Sequence, residues 1–158
     1  MSRSAVPASR EQFGRLLGRL GRAWRAELDA RLAPFGLTQA RWLILYQLAR
    51  GGNGLPQTAL AERVGVQGPT LVRTLDRLQA DGLVERRDAP GDRRAKSIHA
   101  TAAAAPVLKR IQSVADQVRS ELLAGVSDDE IAICLRVFER VAANLQVDQG
   151  GADRRRRS

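Results

Sequence analysis

The sequence predicts a mainly α-helical fold with one small β-hairpin, and three observations support this prediction. Apolar residues such as Leu16 and Leu20 recur at helical spacing over most of the chain. Proline and glycine interrupt that spacing at short intervals, which divides it into separate helices. Residues 83–100 depart from it, because two strand-like runs there flank Pro90-Gly91, a pair that suits positions i+1 and i+2 of a type II turn.

The chain up to residue 82 predicts four helices with recognisable boundaries. They are expected over 11–32, from the N-cap Thr38 to Ala49, over 56–64 and over 68–81. The second of them is apolar on nearly every side, so we expect it to be central and buried. Gly65 marks a tight turn between the third and fourth helices, and Gly82 closes the fourth.

Beyond residue 82 the pattern changes to a hairpin and then returns to helices. Strands are expected over 83–88 and 94–100, and helices over 101–123 and 128–145 with Thr101 and Ser127 as N-caps. A helix-turn-helix followed by a hairpin is a winged helix-turn-helix. We therefore expect one domain over 11–147, with the winged helix-turn-helix at about 37–100 between helices at about 11–33 and 101–147. Residues 1–10 and the basic tail 148–158 are expected to be disordered.

Composition and charge exclude several functional classes. The formal net charge is +9 and the sequence pI about 11.3, a surplus that suits a polyanionic partner. Residues 153–157 supply +3 of this charge, so the rest of the chain is basic as well. One cysteine and one histidine form neither a metal-ligand cluster nor a catalytic set, so we expect no enzyme, no metal and no cofactor. The apolar runs are too short to span a membrane and the N-terminus lacks an apolar signal segment, so we expect a cytoplasmic protein.

The helix at 68–81 has two contrasting faces. Its apolar face carries Leu71, Leu75 and Leu78, and the opposite face carries Thr70, Arg73, Thr74 and Arg77. Arginine can bridge two acceptors of guanine in the major groove of DNA. Gln67 and the N–H groups at the helix start can meet phosphate. The alternative is a solvated polar face, which would be preferred for an isolated helix but not for one that follows a helix-turn and precedes a cationic hairpin.

The hairpin concentrates cations at its tip. Arg93 and Arg94 are candidates to enter the minor groove, where narrow stretches of DNA attract arginine. Arg87 and Lys96 are candidate phosphate contacts, and Asp92 could hold the Arg94 guanidinium in one rotamer. Strand alternation alone does not decide which of the two arginines enters the groove. The alternative is a charged hairpin that protects a sheet edge.

Three segments of the chain together form a recognisable pattern: Pro69-Thr-Leu-Val-Arg-Thr-Leu-Asp-Arg-Leu78, Asp81-Gly-Leu-Val-Glu-Arg-Arg87 and Asp92-Arg-Arg-Ala-Lys96. They resemble the MarR family of bacterial transcription factors, and the similarity runs from about Leu17 to Leu145. The last of these segments, together with Leu37-Thr-Gln-Ala-Arg-Trp42, is most similar to the SlyA branch of the family. The resemblance implies a homodimer on a pseudopalindromic operator, with Arg73 in the major groove and Arg94 in the minor groove. The candidate DNA contacts are Gln67, Pro69, Thr70, Arg73, Thr74, Arg77, Arg87, Asp92, Arg93, Arg94 and Lys96.

The flanking helices carry apolar stripes that one small domain cannot cover. In the last helix the stripe is Ile131, Leu135, Phe138, Ala142 and Leu145. A second copy of the chain would cover such stripes, which favours a two-fold dimer independently of the family.

Trp42 and Tyr46 share one face of the buried helix, and two interpretations of them stay open. They can be core residues with their polar atoms satisfied locally. The resemblance to SlyA-like proteins, which bind salicylate-type anions, implies instead a pocket for an aromatic carboxylate held by Arg22 or Arg25. Such a ligand would lower the affinity for DNA.

The sequence therefore favours a dimeric, sequence-specific regulator of transcription that binds double-stranded DNA, usually a repressor in this family. The alternative is a non-specific basic or architectural DNA-binding protein without ligand control. That protein would lose affinity with salt but show little preference among sequences.

Overall fold

A computed structural model describes residues 8–52, 54–89 and 92–145, and only the backbone of Ala8, Ala89 and residues 92–95. Within these ranges there are six α-helices: α1 (Ala8–Leu32), α2 (Gln39–Gly51), α3 (Gln57–Val64), α4 (Gly68–Ala80), α5 (Ala105–Leu122) and α6 (Asp128–Asn144). Three strands, β1 (Leu55–Pro56), β2 (Val84–Ala89) and β3 (Asp92–Ala100), form one small sheet. Short 3₁₀ turns occupy Ala33–Phe35 and Ala102–Ala104. The predicted mainly helical fold with a small β-hairpin is confirmed.

The chain divides into two compact units, the first ending at Thr38 and the second beginning at Gln39. The first unit contains α1 and the 3₁₀ turn that follows it. Because α1 begins at Ala8, residues 8–10 are helical, although we expected disorder over 1–10. Residues 1–7 and the tail at 148–158 lie outside the described residues. The single domain expected over 11–147 stays a prediction.

Helix α2 forms the centre of the second unit, where it contacts α3, α4, α5 and β3. Its buried residues are Trp42, Ile44, Leu45 and Leu48, in agreement with the expectation of a buried helix. The elements around it contribute one apolar face each, and the residues that they bury include Leu60, Leu71, Leu75, Leu78, Ile98, Ile111 and Val118. This core fixes the positions of α3, α4 and the sheet, because close-packed interiors leave little freedom to the elements that line them.

The sheet is antiparallel in the order β1-β3-β2. Asp88 lies opposite Lys96, and Ile98 lies between Arg86 of β2 and Leu55 of β1. Strand β1 was not predicted, and β3 begins at Asp92, two residues earlier than expected. Strand β1 and the first two residues of β3 depend on cross-strand partners rather than on residue patterns of their own. Pro90 and Gly91 lie outside the described residues, so the turn type stays a prediction.

Of the expected helix N-caps, Thr101 and Ser127 have different outcomes in the structure. Thr101 precedes the 3₁₀ turn without capping it, and its hydroxyl donates instead to the Gly82 carbonyl oxygen at 2.6 Å. Helix α5 accordingly begins at Ala105, not at Thr101. Ser127 does cap α6, since its hydroxyl oxygen accepts from the Glu130 N–H while its own N–H donates to the Glu130 carboxylate. The hydrogen bonds that the Ser127 N–H and hydroxyl donate to the Glu130 carboxylate, chiefly the one from the backbone, lower the pKa of Glu130.

The last helix, α6, buries none of its residues within one copy of the described chain. Leu135, Phe138 and Leu145 expose between 43% and 67% of their surface there. The apolar face of α6 is therefore not explained by the packing of one chain. None of the helices in the described ranges combines the length and hydropathy that crossing a membrane requires.

Candidate nucleic-acid interface

Helices α3 and α4 are joined by a three-residue turn that begins at Gly65. The φ angle of Gly65 is 69°, and its N–H donates to the Ala61 carbonyl oxygen at 2.9 Å. This left-handed conformation suits glycine, and it ends α3 so abruptly that the chain enters α4 at Gly68. The arrangement is the helix-turn-helix that the sequence predicted, with α4 as its second helix.

The two faces of α4 differ as expected. Leu71, Leu75 and Leu78 are at most 1% exposed. On the opposite side Arg73 and Arg77 are exposed, and within the described part of the chain neither forms a hydrogen bond or an ion pair. Two guanidinium groups, one helical turn apart, are therefore available to an external acceptor.

The start of α4 offers fewer donors than a helix of ordinary sequence. Gln67 is the N-cap, but its side chain makes no capping bond, and its carbonyl oxygen accepts from the N–H groups of Thr70 and Leu71. Pro69 lies in the first turn and has no N–H to donate. Both Gln67 and Pro69 are exposed. The Gln67 side chain is consequently a more suitable phosphate donor here than the backbone of Pro69 would be.

The two threonines of the exposed face are linked to each other. The Thr74 hydroxyl donates to the Thr70 carbonyl oxygen at 2.8 Å. Because a hydroxyl has one hydrogen, Thr74 in this state can accept a hydrogen bond but not donate one. The Thr70 hydroxyl is exposed and has no such bond among the described residues.

The cations in the stem of the hairpin are paired with carboxylates. The Arg87 Nε donates to Glu85 Oε1 at 2.7 Å, and the Lys96 ammonium forms an ion pair with Asp88, its cross-strand neighbour. Both cations were expected to contact phosphate, and both are exposed. Exposed ion pairs contribute little to stability, so a phosphate can compete with these carboxylates.

The side chains of Asp92, Arg93 and Arg94 lie outside the described residues. Their backbone belongs to β3, at the end of the hairpin that is distal to its base. The entry of Arg93 or Arg94 into a minor groove, and the orientation of Arg94 by Asp92, stay predictions.

Arg86 was not among the predicted site residues, and it links β2 to α4. Its Nη1 donates to Gln79 Oε1 at 2.9 Å and its Nη2 to Asp76 Oδ1 at 2.7 Å. The Arg86 side chain is only 22% exposed. A signal was present in the sequence, since strand alternation puts Arg86 on the same face as Val84, which is buried. A cation on the inward face of a strand indicates a partner on the neighbouring element.

A second ion pair holds the other end of α4. Arg41 of α2 donates to the Asp81 carboxylate, with Nη2 and Oδ2 2.5 Å apart. Asp81 is the C-cap residue of α4. The C-terminal half of α4 is thus attached both to the core helix α2 and to the hairpin.

The four candidate ligand-binding residues differ in exposure. Trp42 is 4% exposed in α2. Tyr46 is half-buried one turn later; its hydroxyl oxygen accepts from Arg50 Nη1 at 3.2 Å, and the Arg50 guanidinium carbon lies 5.7 Å from its ring centroid. Arg22 and Arg25 are exposed residues of α1, in the first unit. The pocket stays a prediction.

No group of three or more histidine, cysteine, aspartate or glutamate side chains in the described ranges is arranged to hold a metal ion. His99, the only histidine, lies in β3, where its Nε2 is 3.0 Å from the Ser97 hydroxyl and its ring lies against Gly54. Its contacts are therefore with residues of the sheet and of the segment before β1.

Comparison with known proteins gives consistent results. Residues 35–95 match the model of the MarR family. The transcriptional regulator PA3341, known from a crystal structure, is 48% identical in sequence to this chain. Its TM-score is 0.80, and the match covers 85% of this chain and 98% of that one. A MarR-family regulator from Silicibacter pomeroyi is 27% identical, with a TM-score of 0.73 over 90% and 92% of the two chains. CouR from Rhodococcus jostii RHA1, solved with p-coumaroyl-CoA, is 25% identical, with a TM-score of 0.72 over 87% and 96%.

Proposed function

Because this chain belongs to the MarR family of DNA-binding transcriptional regulators, we propose that it recognises one operator sequence as a homodimer. The observation that carries this proposal is the exposed pair Arg73 and Arg77 on α4, which have no partner within the described part of the chain. An arginine pair in that state gives a protein little stability. It can, however, bind guanine or phosphate without first breaking an internal ion pair.

In the proposed complex α4 lies in the major groove and the hairpin lies over the adjacent minor groove. Arg73 donates two hydrogen bonds to a guanine, and each good contact of this kind discriminates against other bases by about 1–3 kcal/mol. The hydroxyl of Thr70 and the amide of Gln67 contact bases or phosphates near the start of α4. Arg94 enters the minor groove, as the resemblance implies, and Arg87 and Lys96 exchange their carboxylates for phosphates. The net charge of +9 accelerates the encounter with DNA.

The apolar residues that one chain leaves exposed support the homodimer. Leu20 of α1 is 59% exposed, and α6 buries none of its residues. A two-fold dimer places two copies of α4 about 34 Å apart, which is one turn of B-DNA, and so requires a pseudopalindromic operator. A dimer bound over a promoter excludes other proteins from it, and we therefore propose repression.

A small aromatic carboxylate is the proposed effector, on the resemblance to SlyA-like proteins and on the aromatic ligand of CouR. Trp42 and Tyr46 would contact its ring, and Arg22 or Arg25 its carboxylate. Binding would favour a spacing of the two α4 helices that does not fit the operator, and so weaken DNA binding. Titration of the protein with salicylate and related acids, followed by tryptophan fluorescence, tests this; no binding of any acid overturns it.

The test of the main proposal is selection of binding sites from a library of random DNA duplexes. We expect an inverted repeat with half-sites one helical turn apart, bound about a thousandfold or more tighter than a scrambled duplex. Binding to the DNA upstream of the protein's own gene, with and without aromatic acids, extends the test to regulation. Equal affinity for selected and scrambled duplexes, with a strong dependence on salt, would instead indicate a non-specific architectural protein.

A further inference from the structure

Of the two hairpin arginines whose side chains the structure describes, Arg86 contacts α4 and Arg87 is exposed to solvent. The two Nη atoms of Arg86 bind different residues of α4, Asp76 at 2.7 Å and Gln79 at 2.9 Å. Asp76 and Gln79 are three residues apart, so they lie on one side of the helix. A planar guanidinium can satisfy two such acceptors at once, which a lysine ammonium cannot do with the same geometry. The hairpin is therefore attached to α4 at a defined angle.

The attachment point lies within the proposed DNA-contacting surface. Asp76 follows Arg73 by three residues and precedes Arg77 by one. On a helix, side chains three residues apart are neighbours, so the Asp76 carboxylate is within reach of Arg73. In the structure that carboxylate binds Arg86, and Arg73 has no partner among the described residues.

We propose that Arg86 is a positioning residue for operator recognition, with two effects that both rest on the proposed function. It fixes the hairpin on α4, so that major-groove and minor-groove contacts are made at one separation. It also occupies the Asp76 carboxylate, which leaves the Arg73 guanidinium available to DNA. Arg86 itself does not contact DNA in this arrangement.

The decisive variant is Arg86→Lys, because it keeps the charge and removes the two-pronged geometry. Affinity for a scrambled duplex depends on charge and should stay within about twofold of the wild type. Affinity for the selected operator should fall by about tenfold or more, the loss expected when a base contact is misplaced. Arg119→Lys is the control, since Arg119 lies on α5, outside the proposed DNA-contacting surface, and also pairs with a carboxylate, that of Asp116. It should leave the ratio of operator to scrambled affinity unchanged.

Asp76→Asn gives a second and independent test. Removal of a carboxylate from a DNA-facing helix should by itself tighten binding to every duplex. If Asp76 anchors Arg86, the ratio of operator to scrambled affinity must fall even though the overall charge attraction rises. An unchanged or higher ratio would show that Asp76 has no positioning role and would overturn the proposal.

Amide hydrogen exchange of the DNA-free protein measures the attachment without reference to DNA. Arg86→Lys should accelerate exchange in β2 and β3 and leave exchange in α5 and α6 unchanged. Arg87→Lys should leave exchange in β2 and β3 as it is in the wild type. Unchanged exchange overturns the attachment whatever the binding data show. If the wild type itself does not discriminate between duplexes, the proposed function fails, and exchange still decides whether Arg86 holds the hairpin. If the wild type discriminates and Arg86→Lys discriminates equally well, only this inference fails.

Discussion

At the scale of single residues, the surface around α4 contains two kinds of arginine. Arg41 and Arg86 are largely buried and donate to carboxylates on other elements. Arg73 and Arg77 are exposed and have no partner within the described residues. The first kind holds α4 in place, and the second kind is available to a ligand. Strand alternation indicates that Arg86 faces inward, but sequence alone could not name the partners, because these depend on which element lies within reach of each guanidinium.

Arg73→Ala is expected to cost about 1–3 kcal/mol of operator-binding free energy and to relax the preference at one base pair. The reason is that Arg73 would lose two hydrogen bonds to guanine while the core face of α4 stays intact. Fluorescence anisotropy with the operator and its single-base variants measures both effects. Lys109→Ala, which removes an exposed cation from α5, is the control. If Arg73→Ala binds the operator as the wild type does, the assignment of the DNA-contacting face is wrong.

The ion pair between Asp88 and Lys96 predicts opposite effects on DNA affinity when one or the other partner is substituted. Asp88→Asn removes the carboxylate that competes with phosphate for Lys96, so affinity should rise for every duplex. Lys96→Ala should weaken binding to all sequences alike and reduce the dependence of log K on log salt by about 1. Salt titrations on operator and scrambled duplexes check both. An effect of either variant on the operator alone would contradict a simple phosphate contact.

At the scale of elements, the sheet depends on a close approach between Gly54 and His99. Gly54 has a φ angle of 95°, and a Cβ atom placed there would lie 2.7 Å from the His99 ring. Its N–H donates to the Ile98 carbonyl oxygen at 3.1 Å, which continues the pairing of β1 with β3. The base of the hairpin is therefore held by a residue that needs both the left-handed conformation and the absence of a side chain.

Gly54→Ala should destabilise the protein more than Gly52→Ala does. Gly52 also has a positive φ, 82°, but a Cβ atom there would meet nothing within 4 Å. Both variants carry backbone strain of about 1–3 kcal/mol, and only Gly54→Ala adds the clash with His99. Thermal unfolding measures the difference. His99→Ala should remove the additional loss when it is combined with Gly54→Ala, and failure to do so would contradict the contact.

The elements that the sequence predicted are those with a residue pattern of their own. The helices, Gly65 and the cap at Ser127 were all recognisable, because periodicity and capping are local. Strand β1 was missed because it has two residues, one of them a proline, and exists only through its pairing with β3. Thr101 was predicted to cap a helix, but Gly82 lies within reach of its hydroxyl and binds it instead. The link from Arg86 to Asp76 and Gln79 was missed because these acceptors lie ten and seven residues away, on another element.

At the scale of the whole molecule, one copy of the chain leaves an apolar stripe on α6 uncovered. Ile131, Leu135, Phe138, Ala142 and Leu145 recur at helical spacing along it. Leu135 is 54% exposed. Contiguous apolar surface of this kind marks an interface, because a monomer in water rarely retains it. We propose a second copy of the chain as the cover, because it has the same composition and the resemblance to the MarR family implies a homodimer.

Leu135→Glu is therefore expected to weaken the dimer strongly and, through it, operator binding. The carboxylate would be placed in an apolar interface, where its burial without a partner is unfavourable. Ile133→Glu is the matched control, because Ile133 is 52% exposed on the opposite side of the same helix. Sedimentation equilibrium should show a monomer for Leu135→Glu and a dimer for Ile133→Glu. A single copy can contact only one half-site, so the first variant should also lose the preference for one spacing of the inverted repeat. If both variants stay dimeric and bind the repeat normally, α6 is not the dimer interface, and the apolar face of α1 becomes the next surface to test.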